Sequence, residues 1–162
     1  MPLMLKAAPL ARFFIFGDGG LKPNLERRAR SLGVRDRVVF AGYRPDVTRY
    51  YAAFDVSVLT SLSEGLSITL LESMQHGLPV VVTDVGGNGE VVVQNLTGYL
   101  VPPRAVEPFA ERVVHLLTNP TLRQQMGEAA RRVVAERFNP DGVAREYLQI
   151  YADLLALTLS RG

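Results

Sequence analysis

Thr60-Ser61-Leu62-Ser63-Glu64-Gly65-Leu66-Ser67-Ile68-Thr69-Leu70-Leu71-Glu72-Ser73-Met74 opens as a small polar turn and becomes a helix. An apolar strand, Val56-Ser57-Val58-Leu59, stands just before it. Leu66, Leu70, Leu71 and Met74 recur at helical spacing and fall near one face. Two carboxylates ride on this strand, turn and helix, with seven residues between them. Glu64 belongs to the turn at the carboxyl end of the strand. Glu72 belongs to the helix, about 9 Å along its axis from Leu66. Open parallel sheets bind ligands outside the carboxyl ends of their strands. The free N–H groups at a helix start suit a phosphate. One carboxylate at the mouth and one further along are placed to hold hydroxyl-bearing groups on either side of a phosphate.

The flanking sequence repeats the same alternation. Upstream, residues 1 to 11 read as the tail of a helix cut by Pro9. Arg12 to Phe16 is a buried strand by its Phe13-Phe14-Ile15-Phe16 run, followed by the turn Gly17-Asp18-Gly19-Gly20. Leu21 to Leu32 has the length and charge pattern of a helix, with Gly33 as its C-cap. Arg37 to Ala41 is a second strand, ending in Gly42-Tyr43-Arg44-Pro45, and Asp46 is placed to cap a short helix to Phe54. Asp55 to Leu59 is the third strand. Downstream, Pro79 to Thr83 is a fourth, and Asp84-Val85-Gly86-Gly87-Asn88-Gly89 is a second glycine-rich turn. Glu90 to Gln94 fits one helical turn, and Gly98 to Val101 a short strand. Helices are expected over about Val106 to Leu117, Thr121 to Arg137 and Asp141 to Leu157, separated by asparagine–proline breaks. Strands that alternate with helices predict a parallel sheet covered on both faces. The fold class is therefore α/β: a single Rossmann-like three-layer α/β/α domain over residues 1–162, with C-terminal helices.

Composition narrows the function. The chain has 162 residues, enough for one domain with a core, and 48% hydrophobic and 21% charged residues suit a soluble globular protein. A formal charge of +2 does not point to nucleic acid. Charge is uneven, however. Lys22 to Arg49 carries eight basic residues against Glu26, Asp36 and Asp46, a balance of +5. That stretch reads first as a solvated helix face, and second as an attraction to acidic lipid or an anionic donor. Without cysteine there is no disulfide and no thiol catalysis, and two isolated histidines do not make a zinc site. No apolar run reaches transmembrane length and the start is not a signal peptide, so the expected location is cytoplasmic, with the inner face of the membrane as a variant.

The run from Glu64 to Glu72, with Gly65 beside the first and Gly77-Leu78-Pro79-Val80-Val81 after the second, resembles the donor-sugar motif of retaining glycosyltransferases of family 4. Those enzymes have a two-domain B-type fold. The resemblance covers nearly the whole chain, but only part of their nucleotide-sugar domain and no acceptor domain. It implies that Glu64 is the catalytic-site carboxylate on the donor-sugar hydroxyls and that Glu72 binds the ribose hydroxyls. Carboxylates accept paired hydrogen bonds, which suits vicinal diols. The resemblance places the backbone N–H groups of Leu66 and Ser67 at the diphosphate, makes Gly65 a donor-binding residue, and puts Tyr43 and Arg44 in the base-contacting region. Gly17, Gly19 and Gly20 correspond to a loop facing the cleft between domains. Gly86 and Gly87 form a second such loop, expected to be looser because Asn88-Gly89 stands where the family often has proline. Each glutamate alone would read as a solvated acid and each glycine pair as a tight turn; the joint pattern favours the site. The donor implied is a nucleotide diphosphate sugar, UDP- or GDP-linked, with no metal and no other cofactor. The acceptor implied is a glycan or lipid-linked sugar. Ser63-Glu64-Gly65-Leu66-Ser67 resembles members that build capsular or exopolysaccharides. In this family transfer is thought to proceed on one face of the sugar, so the protein positions groups and stabilises charge.

Family members also carry an earlier strand and helix, with an arginine and a lysine that clamp the diphosphate. Only twelve residues precede Phe13 here, and Lys6 lies too close to the strand to be that lysine. An incomplete donor domain is expected, with weak or no transfer unless a partner chain or self-association restores the cleft. Four other readings compete. A non-catalytic assembly module shares the fold. A sugar-nucleotide epimerase fits the carboxylate spacing less well. A dehydrogenase lacks the glycine fingerprint, since Lys22 replaces its third glycine. Hydrolysis by an acid and a nucleophile ranks lower because a diphosphate leaves readily. His76 is expected to be a helix-end contact and His115 to be structural.

Overall fold

Val80, Val81 and Val82 are buried on both sides of their strand, and the rest of the fold follows from that. A strand buried on both faces needs helices above and below it. The computed structural model describes residues 1–159. Its elements in order are α1 (Pro2–Ala7), β1 (Phe13–Phe16), α2 (Lys22–Ser31), β2 (Val38–Gly42), β3 (Ser57–Leu59), α3 (Ile68–Gln75), β4 (Val80–Thr83), α4 (Asn88–Val91), β5 (Gly98–Val101), α5 (Val106–Thr118), α6 (Pro120–Arg137) and α7 (Pro140–Leu159). Short 3-10 segments span Arg35–Arg37 and Val47–Ala53.

All paired strands run parallel. Alternate β4 side chains face opposite layers. Val81 packs with Tyr99, Val101, Phe109, Val113 and Leu116 under α5, and Met4 of α1 joins that core. Val80 and Val82 pack with Leu70 and Met74 of α3 and with Ala130 and Val134 of α6. A third cluster joins Ala29, Val34 and Val38 to Phe13, Ile15 and Phe40. The α/β layering therefore agrees with the sequence.

The strands do not form one continuous ladder. They make a two-stranded sheet, β1-β2, and a three-stranded sheet in the order β3-β4-β5. Among the described residues, β1 pairs with β2 alone and β3 with β4 alone. The two sheets are neighbours: Phe13 and Val56 contact the same core, and the Phe14 and Phe54 rings lie 5.4 Å apart.

Several local expectations need correction. The strand β1, expected to be buried, is only partly covered and leaves Phe14 exposed, since among the described residues it pairs with β2 alone. The helix after β3 begins at Ile68, because Ser67 caps it by accepting from Leu70 N–H at 3.4 Å. Leu66 lies before the cap and is exposed, while Leu70 and Met74 are buried as expected. With α3 starting at Ile68, Glu72 lies about 6 Å along the axis, at 1.5 Å per residue. Asp46 makes no side-chain cap; its carboxylate pairs with Arg49 at 3.9 Å, and the segment after it is 3-10. The helical turn expected from Glu90 starts at Asn88. No described helix is long and apolar enough to cross a membrane.

Candidate functional site

Parallel strands place their carboxyl ends at one edge of each sheet. The loops after β1 (Gly17 to Gly20), β2 (Tyr43, Arg44), β3 (Thr60 to Ser67) and β4 (Asp84 to Gly87) hold every residue expected at the donor except Glu72, which α3 carries. Contacts tie these loops into two groups, one on each sheet. In the first, Gly17 N–H donates to the Gly42 carbonyl at 2.9 Å, joining the loop after β1 to the end of β2. Tyr43 and Arg44 are exposed beside this bond. A Cβ added at Gly19 or Gly20 would meet nothing within 4 Å, so packing inside the chain does not demand glycine there.

In the second group the loops after β3 and β4 interlock. Gly87 N–H donates to the Gly65 carbonyl at 3.0 Å. A Cβ on Gly86 would lie 1.7 Å from the Glu64 carbonyl oxygen, and one on Gly87 would lie 2.6 Å from that of Gly65. Glycine at these two positions thus lets one loop approach the other. The turn is not loose, contrary to the expectation from Asn88-Gly89. Asn88 is fully buried and its amide donates to the Thr83 carbonyl at 2.9 Å, pinning the loop to the end of β4.

Glu64 is held from both strands. Ser61 Oγ donates to Glu64 Oε1 at 2.6 Å, and Thr83 Oγ1 donates to the Ser61 carbonyl at 2.6 Å. A hydroxyl relay from β4 therefore fixes the turn that carries the carboxylate. Glu72 is held by Tyr51, whose hydroxyl donates to Glu72 Oε2 at 3.3 Å. Burial, and then the nearby Glu72 carboxylate, push the Tyr51 phenol up to about 12, so it stays a donor at neutral pH. His76 takes the helix-end contact expected of it: its Nδ1 lies 2.8 Å from the Glu72 carbonyl, and its ring lies against Tyr51 with centroids 5.0 Å apart. His115 is structural, with Nδ1 2.9 Å from the Tyr99 hydroxyl.

The holding roles of Ser61, Thr83, Tyr51 and Asn88 escaped the sequence reading. Ser61 had a local signal, since it lies three residues before Glu64, where a hydroxyl can reach back across a turn. Tyr51 and Thr83 reach partners 21 and 22 residues away and leave no local pattern. A polar hollow of 330 Å³ bounded by Phe54, Asp55, Pro79 and Arg123 lies at the opposite edge, before β3 and β4, where the Arg123–Asp55 ion pair of 3.1 Å borders it. It lacks the carboxylate pair and glycine loops.

Comparison with known proteins gives this geometry a family. The sequence profile for glycosyl transferases group 1 matches residues 1–133. The chain is 34% identical over 145 residues to N-acetyl-alpha-D-glucosaminyl L-malate synthase of Bacillus anthracis, covering 90% of this chain and 38% of that one. It is 32% identical over 144 residues to the lipopolysaccharide core biosynthesis glycosyltransferase LpsE of Rhizobium meliloti, covering 89% and 42%. Its fold matches that of Anabaena HepE, solved in complex with UDP, with a TM-score of 0.85 at 23% identity over 93% of this chain and 44% of that one. The chain thus spans about two fifths of the length of these relatives. With Glu64 and Glu72 set around the start of α3 and the profile running through both, the chain belongs to the glycosyl transferases group 1 family.

Proposed function

We propose that this chain is the nucleotide-sugar portion of a retaining, metal-independent glycosyltransferase that moves a hexose from a nucleotide diphosphate sugar to a glycan or lipid-linked acceptor, in surface polysaccharide biosynthesis. The observation that carries the reading is the carboxylate pair, Glu64 held by the Ser61 hydroxyl of its own turn and Glu72 by the Tyr51 hydroxyl of the preceding 3-10 segment. Glu64 takes the donor-sugar hydroxyls as the catalytic-site carboxylate, and Glu72 takes the ribose hydroxyls. Gly65, Leu66 and Ser67 offer backbone to the diphosphate at the start of α3, and Gly86 and Gly87 shape that turn from behind. Gly17, Gly19 and Gly20 approach the donor from the other sheet, beside Tyr43 and Arg44 at the base. The complex of HepE with UDP supports a uridine donor, with GDP as the second choice. LpsE supports a surface glycan. A place at the cytoplasmic face of the membrane belongs to the same reading, supported by the exposed Arg27, Arg28 and Arg30 of α2.

The test is an NMR titration of the chain with UDP, GDP and ADP, free and sugar-linked, repeated on Glu72→Ala. Saturable shifts from Glu64 to Glu72 with one base, lost in the variant, are the expected result. No shift at millimolar ligand would sink the reading of these residues as a working donor site in this chain.

The same proposal takes residues 1–162 as a portion of the donor fold that works together with a further strand-bearing segment, in keeping with the two fifths of its relatives' length that they span. Unpaired edges on the neighbouring strands β1 and β3 support it, since an extended segment pairing with both would join the two sheets into a single one. A further stretch of a longer chain, a partner chain or a second copy would serve as the source in this reading. Two charge-assisted phosphate contacts, worth about 1.5–3 kcal/mol each, would be missing from the chain alone. The purified chain should therefore show little or no sugar transfer, and robust turnover in a radiolabelled-donor assay would overturn this part. An assembly module without catalysis is the second reading, favoured by the same two edges.

A further inference from the structure

We infer that Tyr51 is the positioning residue for Glu72: its hydroxyl fixes one carboxylate oxygen so that the carboxylate meets the vicinal hydroxyls of the donor ribose already oriented. This rests on the reading of Glu72 proposed above.

Tyr51 is 4% exposed, so its ring does not swing freely. One side of it lies against the His76 ring, and His76 is itself anchored to the Glu72 carbonyl. The phenol hydroxyl then reaches Glu72 Oε2 at 3.3 Å. Tyr51 and His76 thus grip Glu72 at both ends, one on the side chain and one on the backbone. Among the described residues, Glu72 Oε1 has no protein hydrogen-bond partner. A carboxylate has about four acceptor sites. With one taken by Tyr51, enough remain for two hydroxyls of a diol. A free glutamate samples many rotamers, and ordering it on binding weakens affinity. A tyrosine that orders it beforehand removes that cost. The phenol supplies what a phenylalanine ring cannot, a single donor at a fixed height above the helix.

The role predicts a signature that simple packing does not. Tyr51→Phe keeps the ring and its contact with His76 and loses only the donor. The probes are UDP and 2′,3′-dideoxy-UDP, which differ only in the diol. Dissociation constants from NMR titration are compared for the unaltered chain, Tyr51→Phe and Glu72→Gln. The unaltered chain should prefer UDP. Tyr51→Phe should reduce that preference roughly five- to tenfold while leaving the dideoxy affinity unchanged. Equal losses for both nucleotides would make Tyr51 a packing residue and overturn the inference. An intact preference in Tyr51→Phe with a lost one in Glu72→Gln would overturn it too, yet leave Glu72 at the ribose. An intact preference in Glu72→Gln would remove Glu72 from the ribose and take the inference with it.

Discussion

Gly86→Ala is expected to destabilise the chain by about 2–5 kcal/mol and to erase nucleotide-induced shifts at Glu64. Two costs add. Gly86 has φ +50°, where a side chain costs about 1–2 kcal/mol, and overpacking adds about 1–3 kcal/mol. The overpacking is severe because the new Cβ would sit 1.7 Å from a backbone oxygen, that of Glu64, rather than from a flexible side-chain end. Either the turn after β4 or the turn carrying Glu64 must move. Moving the second breaks the Ser61–Glu64 hydrogen bond. Urea denaturation gives the stability change and the nucleotide titration gives the site effect. Gly19→Ala is the control: nothing lies within 4 Å of its Cβ, so its stability should stay within about 1 kcal/mol of the parent chain. If Gly86→Ala and Gly19→Ala denature alike, the interlocked loops do not hold the site.

Met74→Ala should cost about 2–5 kcal/mol, a large share of the roughly 5–15 kcal/mol that holds a domain folded. Met74 is 0% exposed and sits where α3 packs with β4 and α6, among Leu70, Val80, Val82 and Ala130. Truncation removes buried methylene and thioether atoms and leaves a cavity that a β-strand of three valines closes poorly. Met74→Leu, close in volume, should cost less than about 1.5 kcal/mol. A denaturation midpoint for Met74→Ala equal to that of Met74→Leu would show that α3 is not the lid of this core.

Much of this was legible because it is local. The valine run of β4, the aromatic run of β1 and the asparagine–proline breaks before α6 and α7 each declare themselves within a few residues. Glu64 and Glu72 stood out because a strand, a turn and a helix place them in one short window. The misreadings have two physical sources: neighbouring residues that compete for the same local role, and partners far along the chain. Leu66 fits the helical period, yet Ser67 caps the helix after it. Asp46 has the chemistry of a cap but pairs with Arg49 instead. Asn88 suggested a loose turn, and only its burial against Thr83 shows the opposite. Gly86 and Gly87 announced a close approach, but not that the approaching group is the backbone of Glu64 and Gly65. One unbroken sheet was the natural reading of alternating elements, since hydrogen-bond partners of a strand are never written in its own residues.

That break between the sheets bears on how the molecule comes apart. The β1-β2 layer is joined to the rest by side chains, through Phe13 and Met4 in the shared core and the rings of Phe14 and Phe16 against Tyr50 and Phe54, and not by a common ladder. Without a shared hydrogen-bonded ladder, the two layers are expected to open as separate units. Amides of β4, laddered on both edges, should exchange with deuterium only on global unfolding. Those of β1 and β2 should exchange at lower free energy, and the loops that carry Gly17 and Tyr43 should loosen with them.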